Sequence, residues 1–215
     1  MALSKIDAAN FLTGTIPQGN VANASLGAVT ALPAAIDVGS LVKLNTTVAS
    51  NTASVTFDSS LITSTYNVYQ LHCTGCIPAT DVTQLRARIS VDNGSNYITS
   101  DYKKIEFGGV SGSNSSNTIS SSYSTAPGIM ILGAQQEQGN AGNENGSAIL
   151  TFYTPSSSKA KFFYNVGYEM NSANQATQQQ SWYAYDTSSA YNNIKIEYTS
   201  GNISVGNFTL YGVTK

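Results

Sequence analysis

Asn192-Asn-Ile-Lys-Ile-Glu-Tyr-Thr-Ser-Gly-Asn-Ile-Ser-Val-Gly-Asn-Phe-Thr-Leu-Tyr-Gly-Val213 is the stretch that decides the fold class. Ile194, Ile196 and Tyr198 alternate with Lys195, Glu197 and Thr199, the period of a strand with one buried face. Ser200-Gly201-Asn202 and Gly206-Asn207 supply residues that tolerate positive φ, so the chain can reverse. Phe208, Leu210 and Gly212 then share one face, with Thr209 and Tyr211 on the other.

The same period recurs upstream. Leu85, Ala87, Ile89 and Val91 alternate with Arg86, Arg88, Ser90 and Asp92, which predicts a buried apolar set and two more exposed arginines. Asp92-Asn-Gly-Ser95 predicts a type I′ hairpin with a return strand over Tyr97–Phe107. Further strands are expected at Leu41–Val48, Ala53–Phe57, Tyr66–Cys73, Gly128–Gly133, Ser147–Thr154, Lys159–Met170 and Ser181–Tyr185. In the longest, Phe162, Tyr164, Val166, Tyr168 and Met170 line one face. Gly108–Thr125, Ala134–Gly146 and Asn171–Gln180 are Ser, Asn, Gln or Gly rich and read as loops, either tolerated insertions or a contact surface. Short strands, turn signals and no sustained 3.6-residue period predict an all-β fold: an antiparallel, jelly-roll-like β-sandwich over residues 41–215.

Residues 1–40 differ. Phe11, Leu12, Ile16, Val21, Leu26, Val29, Leu32 and Ile36 are isolated apolar residues broken by Pro17, Pro33 and several glycines. Such a segment cannot build its own core, so it predicts an extended N-terminal arm that is disordered, laid on a partner or packed on its own domain.

Composition removes several function classes. Charged residues make up 10% of the 215 residues and the net charge is −2, so phosphate neutralisation and nucleic-acid binding are not expected. No run of 18 apolar residues exists to span a membrane, and Met1-Ala-Leu-Ser-Lys-Ile-Asp7 has no continuous apolar core for a signal peptide. Asn-x-Ser/Thr triplets at Asn23, Asn93 and Asn202 arise by chance in so Asn- and Ser-rich a chain.

Cys73-Thr-Gly-Cys76 is the one motif with a chemical look. It follows a strand and runs into Ile77-Pro78, so no helix start lowers a thiol pKa, and two cysteines with one histidine fall short of a four-ligand zinc site. The expectation is structural thiols, with a local disulfide or a metal as alternatives, and no cofactor. His72 sits inside an apolar strand on the face opposite Cys73, and Glu137 and Glu144 lie in a polar loop, so no catalytic residues are expected. Trp182-Tyr-Ala-Tyr185 follows Gln178-Gln-Gln180. Aromatic rings beside amides suit stacking on sugar rings, which makes Trp182, Tyr183 and Tyr185 receptor-binding candidates; one of the two alternating sets is equally read as core.

The chain resembles a group of bacteriophage virion proteins, frequent in phages of marine bacteria and described as tail-fibre or structural proteins. Met1-Ala-Leu-Ser-Lys-Ile6, Leu41-Val-Lys-Leu44, Ala53-Ser-Val-Thr-Phe57 with Tyr66 and Tyr69, and Pro78-Ala79 carry the likeness. So do Leu85-x-x-Arg88-x-Ser90-x-Asp92-x-Gly94-x-x-Tyr97 and Ser200-Gly-Asn-Ile203 with Gly206-x-Phe208-x-Leu210-Tyr-Gly212, in the same order. Leu12-Thr-Gly-Thr-Ile-Pro17 is similar to segments of phage fibre shafts. The resemblance implies a non-enzymatic protein on the virion surface, made in the host cytoplasm: a short fibre-type appendage docked by its arm, or alternatively a capsid decoration protein or an adhesion tip for a host surface glycan. Cysteine poverty fits assembly in a reducing cytoplasm. The partners expected are other virion proteins and further copies of the chain. Docking or oligomerisation falls to Phe11, Leu12, Ile16, Val21, Leu26, Leu32 and Ile36, since each exposed apolar group forgoes about 1.5–3 kcal/mol of burial. Fibre modules commonly close with three copies, so the resemblance adds a homotrimer. The rival class, a polysaccharide-degrading enzyme, needs a carboxylate pair in a cleft.

Overall fold

The computed structural model describes residues 40–111 and 118–214, and the arm residues from Phe11 to Ile36 lie outside them. Among the described residues every regular element is a strand: β1 (Leu41–Thr52), β2 (Val55–Phe57), β3 (Val68–Pro78), β4 (Leu85–Ser90), β5 (Tyr102–Val110), β6 (Thr118–Ala126), β7 (Ile129–Leu132), β8 (Gly146–Tyr153), β9 (Lys161–Met170), β10 (Ala176–Tyr185), β11 (Asn193–Tyr198) and β12 (Ile203–Val213). They form an eight-stranded sheet, β1-β12-β3-β8-β9-β10-β5-β6, and a four-stranded sheet, β2-β11-β4-β7. All described pairings are antiparallel. The arrangement is all-β and consistent with a β-sandwich.

One face of each sheet supplies the core. Tyr69, Leu71, Phe152, Phe163, Phe208 and Leu210 come from the large sheet, and Phe57, Leu85, Ala87, Ile89, Ile194 and Ile196 from the small one. Alternation in β4 follows the sequence pattern for Leu85, Ala87 and Ile89, while Arg86 and Arg88 are half-buried. Val91 departs from it: the strand ends at Ser90, and Val91 is exposed in the turn beyond.

The Asn93-Gly94 turn forms, but not the hairpin expected of it. Asn93 (φ 57°) and Gly94 (φ 90°) both take the positive φ of a type I′ turn, and Ser95 N–H reaches Asp92 O at 3.4 Å. Both edges of β4 are already paired, with β11 and with β7. The returning chain makes one backbone bond, Ile98 N–H to Ile89 O at 2.9 Å, and crosses to the large sheet as β5, between β10 and β6. The Ser200–Asn202 reversal likewise joins strands of different sheets, β11 and β12.

Two of the three expected loops are partly strand. β5 runs to Val110 and β6 opens at Thr118, and β10 begins at Ala176, inside the Asn171–Gln180 segment. Hydroxyl and amide side chains pair as strands when their neighbours offer ladder partners, whatever their hydropathy. The Ala134–Gly146 segment is a loop, and it is tied down at Gln138. That residue's backbone pairs with Thr83, its Nε2 donates to Cys76 O (2.6 Å), and its Oε1 accepts from the Tyr198 hydroxyl (2.8 Å).

β7 ends the small sheet, and all four of its residues are buried. An edge strand buried away from water must find partners for its free backbone groups. Side chains on the inner face of the large sheet supply them. The Tyr183 hydroxyl accepts from Met130 N–H (3.1 Å), Gln179 Nε2 donates to Ile131 O (2.8 Å), and Asn165 Nδ2 donates to the same carbonyl (3.0 Å). Just beyond, Glu169 Oε1 accepts from Gly133 N–H (2.7 Å) and Gln179 Oε1 from Ala134 N–H (2.9 Å). The inner faces of β9 and β10 are polar for this reason.

Candidate functional site

β9 places Lys161, Phe163, Asn165 and Glu169 inward, so alternation turns Phe162, Tyr164, Val166 and Tyr168 outward. Register aligns them with neighbours on β3, β8, β10 and β5. One row of the outer face reads Val68, Tyr153, Phe162, Ala184, Lys103; the next, Gln70, Thr151, Tyr164, Trp182, Ile105. A third reads His72, Ile149, Val166, Gln180, Phe107, and a fourth Ser147, Tyr168, Gln178, Gly109. Lys103 alone of these residues carries a formal charge, and it meets Asp186 at 3.8 Å in an exposed pair. Ile105, Phe107, Ile149, Tyr153, Phe162, Tyr168 and Trp182 are all exposed.

The rings on this face lean on each other. Trp182 lies 5.3 Å from Tyr164 with a 32° tilt and meets Phe107 edge-on at 5.9 Å. Beside them Ile105, Phe162, Trp182, Tyr183 and Ala184, with Lys103, Lys104, Ser124 and Thr125, line a hollow of about 510 Å³. A smaller hollow of about 220 Å³ lies among His72, Ile149, Val166 and Tyr168. The His72 ring packs 4.8 Å from Tyr211, its Nε2 is 3.3 Å from Gln70 Oε1, and partial burial lowers its pKa. Such a face offers apolar area and ring contact rather than charge.

The structure separates the three aromatic candidates. Trp182 is on the outer face, Tyr183 is buried with its hydroxyl on β7, and Tyr185 is half-buried against Tyr102, 5.3 Å between rings. Of the three, Trp182 is the one on the exposed sheet face. The arm candidates lie outside the described residues. Phe107, Tyr164, Phe162 and Tyr168 belong to the face and are absent from the sequence-derived set; for the three on β9 the signal was the Phe162–Met170 alternation.

Cys73 and Cys76 are free and buried on either side of a bulge at Gly75, where φ is 61°. A hydrogen bond with Cys76, then burial, push the Cys73 thiol well up. Glu144 is buried rather than solvated, with Oε2 accepting from Ala141 N–H at 2.7 Å, while Glu137 stays exposed. No group of three or more His, Cys, Asp or Glu side chains converges among the described residues. No helix there is long and apolar enough to cross a membrane.

The small sheet carries the charge instead. Glu197 Oε1 accepts from Arg86 Nη2 (3.0 Å) and Arg88 Nη1 (2.8 Å), and its Oε2 from Lys195 Nζ (2.8 Å). Burial raises the Glu197 pKa, but hydrogen bonds from Lys195 and Arg86 outweigh it and hold the carboxyl below its ordinary value. Lys195 also lies 4.5 Å from the centre of the Tyr97 ring. The two sheets thus show opposite outer surfaces, one ionic and self-paired, the other aromatic and open.

No protein-family model matches the chain, and no curated protein and no solved structure is similar to it.

Proposed function

We propose that this chain is a non-enzymatic structural protein on the surface of a bacteriophage particle, a short fibre-type appendage docked by its arm, residues 1–40, with a jelly-roll-like domain facing outward. The observation that carries the reading is the aromatic outer face of the large sheet, on whose aligned rows Lys103 is the one formal charge. A contiguous exposed patch of this breadth marks a surface that meets other macromolecules. Both thiols are buried, and His72 packs on Tyr211. The virion setting and the homotrimer rest on the sequence resemblance; dense non-local β pairing suits a protein that must persist outside a cell.

The hollow beside Trp182 favours a second reading, an adhesion tip that takes a host surface glycan. In that reading Trp182 offers the exposed ring, Tyr183 lines the floor of the hollow, and Tyr185 is half-buried against Tyr102. Gold-labelled antibody raised against the purified chain tests the first reading on intact particles of the phage that encodes it. Labelling of the particle exterior is expected. Unlabelled particles, with the protein confined to the soluble lysate, would overturn it. Glycan-array binding lost in Trp182→Ala would move the weight to the second reading.

A further inference from the structure

The outer face of the large sheet has the size, charge and relief to pair with itself. Five neighbouring strands, β3-β8-β9-β10-β5, at about 4.8 Å spacing, and the seven residues from Phe162 to Tyr168 at about 3.3 Å each, give roughly 550 Å² in projection. Two such faces remove about 1,100 Å², above the ~1,000 Å² that a specific interface requires. Lone surface apolar residues need no explanation, but a patch of several hundred Å² does.

We infer that the occupant of this face is a second copy of the chain, packed sheet on sheet about a twofold axis. Tyr168, 64% exposed, is the most prominent aromatic at one end, and the 510 Å³ hollow beside Phe162 lies at the other. The two are six residues apart along β9, about 20 Å. An axis lying between the faces, crossing the strands midway between Tyr164 and Val166, carries Tyr168 of each copy over the hollow of the other. The same operation sets Trp182 over the Gln180 row of the facing sheet. It brings Lys103 opposite Gly109, so the two ammonium groups stand about 20 Å apart and do not repel across a dry interface. A glycan fits less well: the rings are tilted against one another rather than coplanar, and the walls of the hollow are mostly aromatic and aliphatic.

The inference goes beyond the homotrimer that the resemblance implies and rests neither on it nor on the virion setting. The contact is pairwise. If the arms also gather three copies, twofold faces and a threefold axis close together as a six-copy assembly. Either way the number of copies is even.

The test uses the full chain. Its single tryptophan is Trp182, on the face itself, so emission reports directly on burial there. Light scattering at micromolar concentration is expected to give an even number of copies, and dilution to shift the emission to the red. Tyr168→Arg puts a charge into the hollow; it is expected to halve the mass and weaken association at least tenfold, with unchanged far-UV circular dichroism. Should that variant fail to fold, Gln178→Arg on the same row serves instead. A wild-type chain with an odd number of copies, one or three, overturns the inference and passes the face to another occupant. An even mass that neither variant halves overturns it as well, because the contact then lies elsewhere.

Discussion

Trp182 and Tyr183 are neighbours in the chain and stand on opposite faces of one sheet. Trp182 is 42% exposed among Tyr164 and Phe107; Tyr183 is 1% exposed, with its hydroxyl on Met130 N–H at 3.1 Å. One peptide step therefore separates a surface ring from a core ring that also satisfies the backbone of the facing sheet. Burial pushes the Tyr183 phenol well above its ordinary range, and the bond from Met130 N–H pulls it back only in part.

Truncating the two rings separates their roles. Tyr183→Ala removes a buried aromatic and orphans Met130 N–H, and is expected to cost about 3–5 kcal/mol in urea unfolding. Trp182→Ala, measured at dilution, loses two ring contacts and is expected to cost less than half as much, about 1–2 kcal/mol. Equal losses would mean that both rings are core.

Alternation alone made much of this fold legible. Leu85, Ala87 and Ile89, and Phe208 with Leu210, point inward as the period-2 pattern predicts. What the pattern cannot tell is which of two faces turns inward. On β9 the set Phe162, Tyr164, Val166, Tyr168 is the more apolar, yet the buried set holds Lys161, Asn165 and Glu169. That choice makes sense only beside the backbone edge of β7, about 30–50 residues away in the chain, which needs hydrogen-bond partners. Gln178-Gln-Gln180 misled for the same reason: Gln179 is buried as a partner for β7 while Gln178 faces solvent. The Asn-Gly turn was legible as a turn, but its strand partners are set by pairings distant in sequence.

The β7 contacts lead to an asymmetric outcome. Gln179→Leu leaves Ala134 N–H and the Met130 carbonyl without their side-chain partner, and is expected to cost about 2–4 kcal/mol. Asn165→Leu is different. Ile131 O keeps its bond from Gln179, and the Asn165 Oδ1, buried with no partner among the described residues, is removed. That variant is expected within about 1 kcal/mol of wild type in either direction. Chemical denaturation of both variants checks the ordering, and a costlier Asn165→Leu would contradict it.

The thiols give a kinetic test. Cys73 and Cys76 are fully covered, and the Cys73 thiol is held well above its ordinary pKa by the Cys76 hydrogen bond and burial. A thiolate-specific reagent at pH 8 is expected to label neither in the native protein and both in urea, at the rate of unfolding. Rapid native labelling would show that the bulge at Gly75 opens on its own.

Glu169 sets the pH dependence. Burial is the main cause that raises its carboxyl to about 8 from the model-compound 4.5, while Gly133 N–H and the Thr177 hydroxyl pull it down less. Its Oε2 is buried and has no partner among the described residues. The folded state therefore binds a proton that the unfolded state releases between the two values. The stability tied to that proton is fully present below pH 4.5 and is lost as pH rises through 8. At about pH 7 the loss is of order 3 kcal/mol, by ~1.4 kcal/mol per pH unit above the unfolded value. Glu169→Gln keeps an acceptor for Gly133 N–H and cannot ionise. It is expected to match wild type near pH 4.5 and to exceed it by a margin that grows toward pH 8. Urea unfolding of both proteins across this range is the measurement, and parallel stability curves would show that Glu169 titrates alike in the folded and unfolded chains.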